Sequence, residues 1–177
     1  MKRSFKFAAA GLVFALTVGA FYFGITSSSS STSHAEERIP LKIGTPKDGR
    51  VEKSDEEWRA ILSPEAYRIT RGRGTELACS ASGWNSKADG YYECIACGQK
   101  LFDSAAKYES GTGWPSFFKP VDDDSLSLYL DRSPFGKRTE VVCSRCDAHL
   151  GHVFDDGPKP TGQRFCMNMG AMKFVPR

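Results

Sequence analysis

Histidine and cysteine are scarce in this chain: its 177 residues include three His and six Cys. Six cysteines in a chain of this length are too few for a disulfide scaffold. None precedes Cys79, which excludes a lipid-anchored cysteine near the N-terminus. Acid is absent from residues 1–35, whose Lys2, Arg3 and Lys6 account for the whole net charge of +3. Residues 36–177 thus balance 21 basic against 21 acidic side chains. Nothing there suggests the basic patch of a nucleic-acid binder. No apolar run of spanning length follows residue 25, which excludes a polytopic membrane protein. A hydrophobic fraction of 40% and a charged fraction of 25% describe an ordinary globular chain, not collagen or wholesale disorder. The length fits one domain.

The N-terminus reads as a leader. Basic residues open it, an uncharged, mostly apolar run follows from Phe7 to Ile25, and a serine tract covers Ser27–Ser31. Ser33 and Ala35 put small residues at the two places a signal peptidase needs. The alternative is a retained membrane anchor, because this run would rise about 28 Å as a helix. Both readings leave the positive end in the cytoplasm and the rest of the chain outside it, exported or membrane-anchored. The membrane is then touched only through residues 1–35. Residues 36–53, polar with Pro40, Pro46 and Gly49, read as a flexible linker.

Order is expected from Ser54. Ser54-Asp55-Glu56-Glu57 is a capping box, with Trp58, Ile61 and Leu62 as the apolar edge of a helix. Ser63-Pro64-Glu65 opens a second helix through Tyr67 and Ile69, ending by Gly72 or Gly74. Beyond Gly74, aromatic and β-branched residues come in short runs between turn residues. Tyr91–Ile95, Leu126–Leu130, Thr139–Val142 and Met172–Val175 read as strands. The predicted fold is therefore mainly β with short N-terminal helices.

Cys94-Ile95-Ala96-Cys97 and Cys143-Ser144-Arg145-Cys146 are two CxxC knuckles. Two knuckles complete a tetrahedral sulfur set, so one structural zinc ion is expected on Cys94, Cys97, Cys143 and Cys146. A filled sulfur set leaves no open position for chemistry. The competing reading, a redox CxxC, lacks a βαβ context.

Cys79 and Cys166 remain. If Arg164-Phe165-Cys166-Met167-Asn168 is extended, Arg164, Cys166 and Asn168 share one face. A guanidinium, a thiol and an amide together suit a site better than a core, and the guanidinium would lower the thiol pKa. His149 and His152 follow the second knuckle and are the only histidines after His34. Imidazoles near a thiol serve as base, acid or charge partner. In the turn Asp155-Asp156-Gly157-Pro158, one carboxylate is placed to orient an imidazole. Gly111-Thr112-Gly113-Trp114-Pro115-Ser116-Phe117-Phe118 offers an aromatic wall suited to a thioether methyl group. On its own, a motif of this kind is more often core than pocket.

Together, SGTGWPSF (110–117), RTEVVCSRCDAHLGHVFDDGPKPTG (138–162), RFCMN (164–168) and the two knuckles resemble the peptide methionine sulfoxide reductase B family. LSPEAYRITRGRGTE (62–76) is similar to that family's helical lead-in, so the resemblance spans residues 54–177. It implies two small antiparallel sheets with zinc away from the active site, and thiol-dependent reduction of the R epimer of methionine sulfoxide in oxidised proteins. It implies Cys166 as nucleophile, with His152 as the acid and with His149, Asn168 and Arg164 lining or tuning the site. Trp114 would cradle the substrate methyl group, with Phe118 and Phe154 beside it. Many members carry a resolving cysteine where this chain has Thr112. Cys79 is then the expected resolver, giving a Cys79–Cys166 disulfide reduced by a thioredoxin-like donor; the alternative is an inert Cys79. A monomeric catalytic domain is expected. Met169-Gly170-Ala171-Met172 departs from the family's usual Ser-Ala-Ala-Leu.

Overall fold

A computed structural model describes residues 38–133 and 136–177. The expected signal peptide or anchor at residues 1–35 lies outside the described residues. Two short helices come early, α1 (Asp55–Ile61) and α2 (Pro64–Thr70). The capping box forms as expected: Glu57 N donates to Ser54 Oγ at 3.2 Å and Ser54 N to Glu57 Oε2 at 2.7 Å. Ser63 caps α2 through Ala66 N at 3.2 Å, and Pro64 occupies its first turn. Trp58, Leu62 and Ile69 are buried, whereas Ile61, expected on the apolar edge, is exposed.

Among the described residues, ten strands follow the chain as β1 (Ile39–Lys42), β2 (Gly90–Cys94), β3 (Lys100–Asp103), β4 (Lys107–Tyr108), β5 (Ser116–Phe117), β6 (Leu126–Ser133), β7 (Gly136–Cys143), β8 (His149–Phe154), β9 (Arg164–Met167) and β10 (Met172–Pro176). They form two antiparallel sheets, in the orders β1-β6-β7-β8-β9-β5-β4 and β10-β2-β3. The mainly-β fold with two antiparallel sheets and N-terminal helices is thus as expected.

Aromatic side chains join the sheets. Phe102 of β3 stacks on Phe117 of β5 at 4.4 Å between centroids, and Tyr92 of β2 meets Phe117 edge-on at 5.0 Å. Phe102 also meets Phe165 of β9 at 5.8 Å. These contacts, in offset or edge geometries that favour ring pairs, fix β5 and β9, the two strands that carry Ser116 and Cys166.

Residues 38–53 are not the flexible linker expected from their polarity. β1 pairs with β6, Ile39 opposite Leu130 and Lys42 opposite Leu128. Arg38 bonds Asp147, Gly44 N donates to Ser127 Oγ at 3.0 Å, and Val51 N donates to Arg145 O at 2.7 Å. The segment runs from the sheet edge to the second cysteine knuckle. Its ordering comes from backbone and side-chain polar bonds, which leave no hydrophobic period in the sequence.

Candidate active site and metal cluster

The two knuckles share one backbone design. Cys94 N bonds Gln99 O at 2.8 Å and Cys143 N bonds Ala148 O at 2.9 Å; Gly98 N and Asp147 N return to the carbonyls of Cys94 and Cys143 at 2.9 Å each. Gly98 and Asp147 both take left-handed φ, 74° and 60°. The four sulfurs lie within 4.8 Å of one another, with Cys94–Cys146 at 3.7 Å and Cys97–Cys143 at 3.6 Å. A tetrahedron with metal–sulfur bonds of about 2.3 Å has edges near 3.8 Å, which these two separations match. Such crowding also has a charge consequence. Hydrogen bonds among the sulfurs, led by the Cys143 contact, push Cys94 well up and Cys97 down, so the four thiols cannot all ionise without a cation between them.

Cys166 sits on β9 between two partners: His152 of β8 on one side and Ser116 of β5 on the other, each directly across the ladder. Opposed residues of an antiparallel pair point to the same face. The extended conformation foreseen for Arg164–Asn168 therefore holds, and it puts the thiol beside an imidazole. His149 joins them through an irregularity. Two positions three apart belong on opposite faces of a regular strand. The pairing of β7 with β8 slips between Val141 and Val142, leaving Leu150 as an extra residue. This bulge brings the rings of His149 and His152 to 5.5 Å. Gly151 makes room for it: a Cβ there would lie 2.2 Å from Cys166 O and 2.9 Å from Met167 Cα.

A small pocket of about 140 Å³ opens over the thiol, lined by Trp114, His152, Phe154, Cys166, Met167 and Asn168 with Thr75, Arg138 and Gly151. Trp114 is held by a 3.2 Å bond from Nε1 to Glu76 O. Asn168 donates through Nδ2 to Leu150 O at 3.1 Å and accepts from Glu76 N at 3.0 Å, so it braces the wall as well as lining it. The buried Glu76 carboxylate accepts from Met169 N at 2.7 Å and Gly170 N at 2.8 Å. It was missed in the sequence because it works through backbone groups more than 90 residues away.

Arg164 faces an adjoining groove of about 400 Å³, shared with Tyr108, Glu109, Thr112 and Asp156. Its guanidinium makes two 2.8 Å bonds to Asp156 and covers the Phe154 ring at 4.4 Å. Burial pushes the Cys166 thiol above its ordinary value, a rise that contacts from Thr112 and Arg164 only partly offset. Burial likewise lowers His152, against the pull of Asp131. Both shifts favour the uncharged form of each group.

Three expectations need correction. Phe118 does not line the pocket; it lies just past the end of β5, and Lys119 Nζ is 5.9 Å from its ring. The carboxylates bonded to the imidazoles are Asp131 and Glu140, not Asp155 or Asp156: His152 Nε2 meets Asp131 Oδ2 and His149 Nδ1 meets Glu140 Oε1, both at 2.8 Å. His149 itself is packed behind His152 and does not line the pocket. Cys79 is an exposed free thiol in a left-handed turn at φ 62° and is not a lining residue. Its N donates to Gly113 O at 2.8 Å, and a Cβ on Gly113 would lie 2.9 Å from its sulfur. The next residue back, Thr112, lies 3.9 Å through Oγ1 from Cys166 Sγ.

Residues 62–176 match the SelR domain model. The chain is 52% identical over 125 residues to the peptide methionine sulfoxide reductase MsrB of Hahella chejuensis, covering 71% of this chain and 90% of that protein. It is 53% identical over 126 residues to the protein of that name from Methanosarcina mazei, and 51% over 125 residues to that from Acinetobacter baylyi, with the same coverage. This chain belongs to the MsrB family. Membership makes it a peptide methionine sulfoxide reductase, and its four-cysteine cluster could hold a metal ion.

Proposed function

We propose that the protein reduces the R epimer of methionine sulfoxide in oxidised proteins, with Cys166 as nucleophile and Cys79 as resolving thiol. The observation that carries this reading is the position of Cys166 opposite His152, at the base of a pocket walled by Trp114 and Phe154. The walls take the methyl group and the polar residues face the sulfoxide oxygen.

The proton balance suits a neutral thiol. The Cys166 sulfur attacks the sulfoxide sulfur, and its proton passes through His152 to the oxygen. The substrate S–O bond breaks, methionine leaves, and the oxygen ends on Cys166 as a sulfenic acid. No proton from solvent is needed. Arg164, half-buried beside the thiol, stabilises developing thiolate charge. The Cys79 thiol then displaces water from the sulfenic acid to give a disulfide. A thioredoxin-like dithiol returns two electrons and two protons. The Thr112-Gly113 segment stands against both sulfurs.

The metal is zinc in this reading, bound by Cys94, Cys97, Cys143 and Cys146 and serving the fold alone. The leader places the catalytic domain, a monomer, outside the cytoplasm, where the donor must also be reached.

An epimer-resolved assay driven by dithiothreitol, with metal content measured on the same sample, tests the reaction. Turnover of the R epimer only, lost in Cys166→Ser, is expected; turnover surviving that change would overturn the mechanism. Thiol titration after one stoichiometric turnover should show two thiols lost in the parent and one in Cys79→Ser. Two lost in the variant would remove Cys79 as the resolver.

A further inference from the structure

Two carboxylates, Asp131 and Glu140, are bonded to the two imidazoles. A carboxylate can only accept, so the ring nitrogen facing it carries the proton. His152 is then protonated on Nε2, toward Asp131, with its lone pair on Nδ1. His149 is protonated on Nδ1, toward Glu140, with its lone pair on Nε2, a buried atom without a partner among the described residues.

Both acids must be ionised for this to hold. Glu140 has no exposed side-chain surface and Asp131 little, and burial alone would raise their pKa values. Hydrogen bonds from the imidazoles, helped by nearby guanidinium groups, outweigh burial and leave both below their ordinary values. Arg73 Nε and Nη2 grip Glu140 at 3.0 and 2.9 Å, and Nη2 lies 3.8 Å from Asp131 Oδ1. Arg138 adds a 2.7 Å bond to Asp131, and Arg38 lies 3.9 Å from Glu140. Arg73 holds a left-handed φ of 54°, uncommon for a side chain of its size. A residue in that conformation spanning both acids makes one frame of the two pairs.

We propose that Asp131 and Glu140 are positioning residues that lock His152 and His149 in opposite tautomers, with Arg73 tying the two pairs together. The consequence is directional. The His152 ring then presents an acceptor on Nδ1. His152, across the ladder from Cys166, is thereby set to take the thiol proton before it can give one to the sulfoxide. This rests on the reading of Cys166 as nucleophile, but the tautomers are measured on resting protein and do not depend on turnover.

Nitrogen–proton correlation spectra of the metal-loaded full-length protein read them directly, with His149→Gln assigning the rings. The expected result is Nε2–H for His152 and Nδ1–H for His149. Asp131→Asn should move the His152 proton to Nδ1. It should also lower kcat on the order of 10²-fold while KM stays within about threefold. A resting His152 protonated on Nδ1 would overturn the proposal. So would a fall in kcat without a change of tautomer, which leaves Asp131 a structural role only, or a change of tautomer without a fall in kcat. Should Asp131→Asn not fold, the resting tautomers alone decide.

Discussion

Thr112 Oγ1 lies 3.9 Å from Cys166 Sγ, and the same residue belongs to a chain of hydroxyls in which Ser110 Oγ is 2.8 Å from Thr112 Oγ1 and 2.7 Å from Ser116 Oγ. Where the resemblance implies a resolving cysteine in many members of the family, this chain puts a hydroxyl against the Cys166 thiol. The hydroxyl helps to hold the thiol pKa down against burial. Thr112→Val should slow alkylation of Cys166 near neutral pH by roughly two- to tenfold, the value of one modest hydrogen bond, and Thr112→Ser should restore it. Thr112→Cys placed on Cys79→Ser should recover the loss of two thiols per turnover. An unchanged alkylation rate in Thr112→Val would show that the contact carries no weight.

The parts of this site legible in the sequence were those written in short local patterns. The knuckles, the Arg164–Asn168 strand and both helix caps depend on spacings of two to four residues, and they fold as read. Asp131, Glu140, Arg73 and Glu76 were not legible because each acts across a distance in sequence, 67 residues from Arg73 to Glu140 and 92 from Glu76 N to Asn168. Asp155 and Asp156 misled by proximity: they follow the histidines in sequence, but β8 has left the imidazoles behind by then, and Asp156 belongs to Arg164. The bulge at Leu150 was invisible for a related reason, since strict alternation would have put His149 and His152 on opposite faces.

Three of the four clustered cysteines, Cys94, Cys143 and Cys146, are buried and pack into the core with Leu101, Leu150 and Met172. Stripping the metal leaves four crowded thiols where the ion had balanced them. Chelation, or Cys143→Ala, should lower the melting temperature by roughly 10 °C or more. Activity should fail only as unfolding sets in, because none of the four lines the pocket over Cys166. Calorimetry with metal analysis on the same samples checks this. A melting temperature unmoved by full metal loss would make the cluster dispensable to the fold.

Removing residues 1–53 separates an ordered segment from a tether. The cut strips β1 from β6, takes Arg38 from Asp147 and breaks the bond from Val51 N to Arg145 O. It also bares the β6 edge, with its unpaired backbone groups. A fall in melting temperature of about 5–10 °C is expected, equivalent to a few kcal/mol in a domain of this size. A tether would leave the transition where it was.

Stability should fall with acid in two stages. Burial holds His152 below its ordinary 6.5, so between that value and the lower folded one the unfolded chain binds the extra proton. Stability is therefore full above about pH 6.5 and declines as pH falls below it, with a slope of at most about 1.4 kcal/mol per pH unit from this one group. Glu140 and Asp131 act lower down. Their folded carboxyls are held below the ordinary 4.5 and 3.8, so the stability they contribute is complete above those values and is lost as pH drops through the depressed ones. Denaturant titrations from pH 7.5 to 3.5, with metal in excess so that the cluster stays filled, should show both stages. His152→Gln should flatten the upper stage and leave the lower one, since Arg73 and Arg138 still hold the carboxylates. An upper stage of the same slope in His152→Gln would trace it to another group, with ligand protonation at the metal cluster the first to test by varying the metal concentration.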